Sequence, residues 1–558
     1  MKKRGLFTKI ILLIISGALI VYFLPRETKF NYLFREGTPW EYGLLKAPVD
    51  YPVYKSGEGI KQEQDSIIKS SQYDEKTTEE VKELMLQKLS EPYVEVKAGD
   101  KIIDRGEIVD SRAYEKLRSL QIYSESQTLF GWGNKLILFG QIFLVACFLF
   151  ILLAYLRLFR PEIYAKKAGF IFLLMMITGF ALIAAGCIRL KLNIYVIPFA
   201  ILPIVVRTFF DSRTAFTTHF ITLFIASLIA PFPAEFILLQ FGAGVAAIYS
   251  LKELTQRSQI FTTALLIFFV YSTVYPFYIL AMEGIWEKIN PIMFVYFLIN
   301  GLLILFAYPL IYLFEKAFGF ISSVTLVELS NINQPILRKL SETAPGTFQH
   351  SLQVSNLAAE AASKIGADIQ LVRTGALYHD IGKTENPIYF TENQAQGVNP
   401  HIDLSYEESA KIIIKHVTDG VKIAEKIGLP KQIIDFIVTH HGKGITKYFY
   451  NSFKNQFPDD PIDEEKFTYP GPNPFSKETA LLMMADAVEA ASKSIPEHTE
   501  DSISLLVNRI FDGMMESGLL KNAPLTFKDI ETVKQLFIEK LKTIYHSRIS
   551  YPELNKEK

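Results

Sequence analysis

Between residues 134 and 314 the chain runs through seven apolar stretches parted by brief polar breaks: roughly 134–157, 168–188, 192–210, 214–231, 235–251, 259–282 and 291–314. No other feature limits the fold as much. About 20 apolar residues are what an α-helix needs to cross a bilayer, where every backbone amide must find its partner within its own segment. Hydrophobic residues make up 49% of the chain and Phe alone numbers 43, more than a soluble enzyme usually carries. The expectation is a helical bundle in a lipid bilayer. Transport fits it poorly, because ionisable residues in mid-span are few and Asp211 and Glu235 fall near span ends.

The polar breaks predict an orientation. The first residues, MKKRGLFTKIILLIISGALIVYFLP, put basic groups ahead of an apolar run, and no small-x-small cleavage site follows. They read as a retained anchor with its start inside. The breaks then predicted inside hold Arg157, Arg160, Lys166 and Lys167, then Arg207 and Arg213, then Lys252 and Arg257, then Lys316. Those predicted outside hold only Arg189, Lys191 and Lys288. This is the positive-inside pattern. It places residues 26–133 outside and everything after about 318 in the cytoplasm.

The sequence therefore predicts a multi-domain membrane protein: an all-α transmembrane bundle, a small α+β extracytoplasmic domain and an all-α cytoplasmic domain. The boundaries are an anchor over 1–25, an outer domain over 26–133, the membrane bundle over 134–314, a linker over 315–345 and the cytoplasmic domain over 346–558. In the outer domain KTTEEVKELMLQKLSE reads as a helix, with acids early and lysines late. VEVKAGDKIIDRGEIVD reads as short strands and turns. In the last domain Ser405 and Glu408 form a capping-box pattern, Pro430 sits at a helix start, and Thr347 is placed to cap the helix that follows it. The net charge of +0 gives no sign of a broad basic face for nucleic acid.

The 2 cysteines, Cys147 and Cys187, lie in apolar runs, so a metal site would rest on His, Asp and Glu. Six of the 9 histidines fall between 350 and 441: His350, His379, His401, His416, His440 and His441. A lone histidine on an apolar helix face is more often a hydrogen-bonded core residue than a ligand. Several in one helical domain, with Asp380 and Asp486, reverse that reading, because burying many such groups unpaired costs several kcal/mol each. A shared metal centre removes the cost. Lys383, one turn past His379–Asp380, reads either as a positive charge for a phosphate oxygen or as a solvated lysine at a helix end. His401 reads either as a substrate contact or as a residue holding its loop. His219, His498 and His546 read as structural or surface residues, and YPGPNP as a turn-rich loop at a pocket rim.

The order H…HD…H…HH…D resembles the HD-domain metallohydrolases, helical phosphohydrolases whose minimal H…HD…D motif is matched by His350, His379–Asp380 and Asp486. His416, His440 and His441 resemble the additional ligands of the members that hold two metal ions, and the resemblance implies that Asp380 bridges them. Over the whole chain, ELSNINQPILRKLSETAPGTFQHSLQVSNLAAEAA, GALYHDIGK, NPHIDLSYEESAKIIIKHVTDGV, HHGKG and YPGPNPFSKETALLMMADAVEAA are similar to the seven-transmembrane HD phosphodiesterases (PgpH-type) of bacterial cell membranes. The resemblance implies hydrolysis of cyclic di-AMP to linear pApA by a hydroxide held between two divalent ions, Fe or Mn. With Asp380 and Lys383 as the candidate catalytic groups, Lys383 and His401 are the candidate substrate contacts, beside the alternatives given above for Lys383 and His401. The residues alone give only a phosphohydrolase. No Gly-Tyr-Pro follows the paired histidines, as it does in enzymes cutting cyclic di-GMP. The outer domain is shorter than in many members of the family. An HD phosphohydrolase acting on another nucleotide, and a receptor or scaffold that binds a nucleotide without turnover, stay open beside this reading. So do an extracytoplasmic ligand and a homo-oligomer.

Overall fold

The computed structural model describes residues 2–25, 32, 34–40, 42–56, 60, 61, 64, 91–130, 132–251, 254–256, 258–395 and 399–545. The helix expected over 76–91 lies, except for Glu91, outside the described residues, as do Lys252, Arg257 and His546. The chain divides into two compact units, one of residues 1–206, 212–248 and 264–304, the other of 207–211, 249–263 and 305–558.

In the first unit the small α+β part is built from two antiparallel strand pairs. Leu45–Lys46 pairs with Lys101–Ile103, and Tyr51–Val53 with Val94–Val96 in the register Tyr51 opposite Val96 and Val53 opposite Val94. Alternation then turns Tyr51, Val53 and Val96 to one face. There they join Trp40, Ile102, Ile103 and, from the helix Ser111–Phe130, Leu117 and Leu120 in a single buried cluster.

Six helices among the described residues are long and apolar enough to cross a membrane: Leu6–Phe23, Lys135–Phe159, Lys167–Arg189, Pro233–Ser250, Ser258–Glu283 and Ile292–Phe318. The first packs on the second and third, with Lys9 donating to the Tyr164 carbonyl and Ser16 bonded to Thr178. The stretch expected as a span over 192–210 takes another form. It is a 3-10 turn, Ile194–Val196, capped by Asn193, followed by the nine-residue helix Ile201–Phe209. Pro198 lacks the N–H that a continuous helix would need there. At 1.5 Å per residue this helix reaches only about 14 Å, half of the apolar thickness of a bilayer. The next stretch is the 16-residue helix Ser212–Ser227. His219 within it is buried, with Nε2 3.1 Å from the Gln240 carbonyl, a structural position as expected.

The second unit is helical throughout. Pro335–Thr343, Pro345–Ile365, Ile369–Tyr378, Tyr406–Lys426, Lys431–Thr439, Lys477–Ser492, Glu500–Glu516 and Phe527–Ile544 surround two buried apolar clusters. Both sides of the expected Ser405–Glu408 capping box are made, and a second box joins Ser476 and Thr479. Thr347 is not a cap. The helix starts earlier, with Pro345 in its first turn and Ala344 before it, and the Thr347 hydroxyl bonds Glu392 instead, at 2.9 Å. Proline suits that first position because the N–H it lacks would have no intrahelical partner.

Candidate metal centre

Five segments deliver the polar residues to one point. His350 lies one turn and a half into Pro345–Ile365. His379 closes Ile369–Tyr378, and Asp380 opens the 3-10 turn Ile381–Glu385. His416 lies in Tyr406–Lys426, His440 and His441 follow Lys431–Thr439, and Asp486 lies in Lys477–Ser492. Gly382 makes the convergence sterically feasible. A Cβ there would run into the backbone of His416 and Gly420, so only glycine lets the turn lie against that helix.

The donors form two triads, each with its ligand atoms within 4.8 Å of one another: His350, His379 and Asp486, and His416, His440 and His441. Asp380 stands between them. Its Oδ2 is 3.2 Å from His379 Nε2 and 3.8 Å from His350 Nε2. Its Oδ1 is 3.4 Å from His416 Nε2 and 3.7 Å from His440 Nε2. His350 Nε2 lies 2.9 Å from Asp486 Oδ1, and His441 Nδ1 lies 3.8 Å from Asp486 Oδ2.

Three observations fit this donor set to cations. First, the Nδ1 atoms of His379, His416 and His440 each donate to a backbone carbonyl, of Ala376, Ile413 and Ile437, which turns each Nε2 inward and leaves the neutral rings of His416 and His440 with a lone pair there. Second, His416 Nε2 and His440 Nε2 are then two acceptors only 3.1 Å apart, a repulsive contact that a shared cation relieves. Third, His379 Nε2 and both Asp380 carboxylate oxygens are buried without a hydrogen bond of proper geometry.

Charge follows the same division. Burial disfavours imidazolium at His379, yet Asp380 and Asp486 outweigh it and push the pKa up to about 10. His350 is likewise raised against burial by Asp486 and Glu489. Both aspartates resist burial and lie well below the usual carboxylate range, Asp380 through His379 and Lys383, Asp486 through His350 and His379. Burial lowers His416, His440 and His441, the last to about 3, so that triad offers neutral imidazoles.

Lys383 is not a solvated lysine. It is 12% exposed, with Nζ 2.8 Å from Asp380 Oδ2 and 2.9 Å from Glu392 Oε1, and it lies over the Phe390 ring. His401 holds the loop: its Nε2 donates to the Tyr389 carbonyl at 2.9 Å and its ring lies against Tyr389 and Phe449. It is not among the residues that line the cavity over the metal ligands, so the contacts favour its loop-holding role.

The sequence reading passed over Glu489, whose carboxylate is hydrogen-bonded to His350 Nδ1 and also meets Lys493 at 2.7 Å. Its i+3 spacing from Asp486 on one helix was the available signal. Glu392 and Phe390 come from a loop without periodicity and gave none. Tyr469, from the YPGPNP loop, places its ring 4.3 Å from that of His441 and lines the cavity. That cavity encloses about 1270 Å³, and Lys383, Lys443, Lys447 and Lys493 are among its walls.

Residues 135–322 match the family described as 7TM receptor with intracellular HD hydrolase, residues 347–491 the HD domain, and residues 60–124 the 7TM-HD extracellular region. The cyclic-di-AMP phosphodiesterase PgpH of Bacillus subtilis is 32% identical over 511 residues, which covers 88% of this chain and 70% of the relative. The Listeria monocytogenes protein of the same name is 30% identical over 504 residues, covering 88% and 68%. The crystal structure of the L. monocytogenes PgpH HD domain with cyclic di-AMP is 41% identical, covering 39% of this chain and 100% of that one, at a TM-score of 0.37.

Proposed function

The chain belongs to the PgpH family of seven-transmembrane HD phosphodiesterases, and from that premise we propose that it cleaves cyclic di-AMP to linear pApA with two divalent cations, Fe or Mn. His350, His379, Asp380 and Asp486 would hold one ion, and Asp380, His416, His440 and His441 the other. What supports this is Asp380, which turns one carboxylate oxygen toward each triad. Bound there, the ions would supply Lewis acidity and a water of lowered pKa.

The protein's own groups do the rest. Carbonyls behind His379, His416 and His440 fix the imidazole tautomers, and Glu489 does the same for His350. Lys383 is clamped by Asp380 and Glu392, so its charge stays at one place on the cavity wall, where a phosphate oxygen can meet it. Lys443, Lys447 and Lys493 offer charge to the second phosphate of a cyclic dinucleotide, and the cavity volume admits both nucleosides.

In this reading the protein sits in the bacterial cell membrane, with residues 26–133 outside, 134–314 spanning and 346–558 in the cytoplasm. The basic residues of the inner breaks support that orientation. Regulation runs through a hydrogen-bonded joint. Glu315, on the helix Ala307–Phe318, accepts from the Ser322 N–H and the Thr325 hydroxyl, at 2.6 and 2.9 Å. The short helix Ser323–Leu329 then accepts from the next helix, Leu326 carbonyl from Thr374 at 3.1 Å and Leu329 carbonyl from Tyr378 at 2.8 Å. Tyr378 precedes His379, so a shift of the joint moves a metal ligand.

The test uses the full chain in detergent, loaded with Mn or Fe(II) and given cyclic di-AMP, cyclic di-GMP and a nucleoside triphosphate. Linear pApA formed fastest, and lost in Asp380→Ala, is the expected result. Binding of cyclic di-AMP with both metals present and no product would replace the enzyme by a receptor.

A further inference from the structure

A second cavity lies in the first unit, at the end of the membrane helices where Tyr42 of the small α+β part also lines the wall. It encloses about 620 Å³. Its wall is neither apolar nor of one charge. Tyr195, Tyr275, Tyr278 and Tyr296 line it, with two acids, Glu235 and Glu283, and two lysines, Lys191 and Lys288.

Glu235 is the unusual member. It is 8% exposed, and its Oε1 accepts from the Tyr195 hydroxyl at 2.7 Å. Among the described residues no basic side chain pairs with it. The Tyr195 ring is itself fixed. Asn300 donates to the carbonyls of Tyr195 and Ile197 at 2.9 and 2.8 Å, and Phe236 and Phe297 flank the ring. A buried carboxylate without a cation is costly, and tyrosine faces around it attract an ammonium. Glu235 lies in the first turn of Pro233–Ser250, where the helix dipole favours an anion. That accounts for the carboxylate's position but not for the tyrosine-walled space in front of it.

Lys191 brings the opposite charge. It is exposed, forms no ion pair among the described residues, and sits at φ 56°, a left-handed conformation that a non-glycine residue adopts at a cost. This residue turns the chain out of the helix Lys167–Arg189 and toward the capped turn of Asn193, which also lines the cavity.

We propose that this cavity is a receptor site for a small zwitterion of the amino-acid type, its ammonium on Glu235 among the tyrosine rings and its carboxylate on Lys191. Glu235 is buried and held by Tyr195 while Glu283 is exposed, so the cavity sets one anchored acid against lysines; a ligand that carries both charges answers both, and a simple amine or a simple acid satisfies only one of them.

The experiment is thermal unfolding of the full-length protein in nanodiscs with each standard L-amino acid at millimolar concentration, and with ethylamine and acetate as half-ligands. At least one amino acid should raise the apparent Tm by about 2 °C or more. The rise should vanish in Glu235→Gln, which keeps an acceptor for Tyr195, and in Lys191→Gln, an exposed position whose replacement leaves folding intact. No rise with any amino acid overturns the proposal. So does a rise matched by ethylamine alone, or one that survives in both variants. Hydrolysis of cyclic di-AMP is measured separately, so failure here leaves the catalytic reading standing.

Discussion

Gly382→Ala tests how the centre is assembled, because it replaces no ligand side chain. The added methyl would meet the carbonyl of His416 and the backbone nitrogen of Gly420 well inside van der Waals contact. Both obstacles are backbone, so no flexible side chain can yield. To reach an ordinary separation of about 3.5–4 Å the turn must retreat by roughly 1 Å or more. Asp380 Oδ1 now lies 3.4 Å from His416 Nε2 and 3.7 Å from His440 Nε2. Two ligands of one ion at about 2.1 Å each can stand at most about 4.2 Å apart. The retreat therefore takes Asp380 out of reach of the second triad. Overpacking of this kind costs about 1–3 kcal/mol in stability, and a misplacement of about 1 Å costs roughly 100-fold in rate. The assay pairs metal content by mass spectrometry with pApA formation and thermal unfolding. Gly366→Ala is the comparator. Its φ of 68° ends the His350 helix with no atom within 4 Å of an added Cβ, so it should lose about 1 kcal/mol while keeping both metals. A Gly382→Ala protein with full metal content and turnover within twofold of wild type would refute the reasoning.

Glu489→Gln should weaken metal binding about 10–100-fold while leaving the fold intact, as read by metal titration calorimetry, because it loosens the hold on His350 Nδ1. Lys383→Met strands Glu392 and takes a cation from Asp380, and should cost about 3–5 kcal/mol together with activity; adding Glu392→Gln should recover part of the unfolding temperature and none of the turnover. For pH, His379 in metal-stripped protein has its pKa raised from 6.5 to about 10, so its stabilising contribution is complete below 6.5 and is lost as pH rises toward 10. A metal ion must displace that proton, and Mn titrations across the same window should show affinity rising about tenfold per pH unit. A flat profile would mean that His379 does not carry a proton in the metal-stripped protein.

Apolar length was enough to identify a membrane protein, because bilayer thickness and backbone satisfaction act on local sequence. The same held for the helix starts at Ser405 and Pro430, where side chain and backbone are neighbours in the chain. The histidines and aspartates were legible as a set because burying so many of them in one helical domain demands a partner. The residues around them were less legible. Glu489 offered only a helical spacing, and Glu392, Phe390 and Tyr469 come from loops whose path is set by what they land on. Lys383 could be read as solvated until its two carboxylates were seen. The 192–210 stretch has the composition of a span, and Pro198 with Asn193 breaks it into a turn and a short helix.

Sequence by itself determined which residue types this protein would bury and which chemistry they could perform, since side-chain donors, charges and lengths are properties of the residues. Only tertiary structure decided that Asp380 faces two triads and that Glu235 and Lys191 share a cavity. Those distances depend on five segments of the second unit, and on helix ends of the first, meeting across the fold. Gly382 shows why. The nearest backbone to it belongs to His416, dozens of residues along the chain, and no local pattern records that contact.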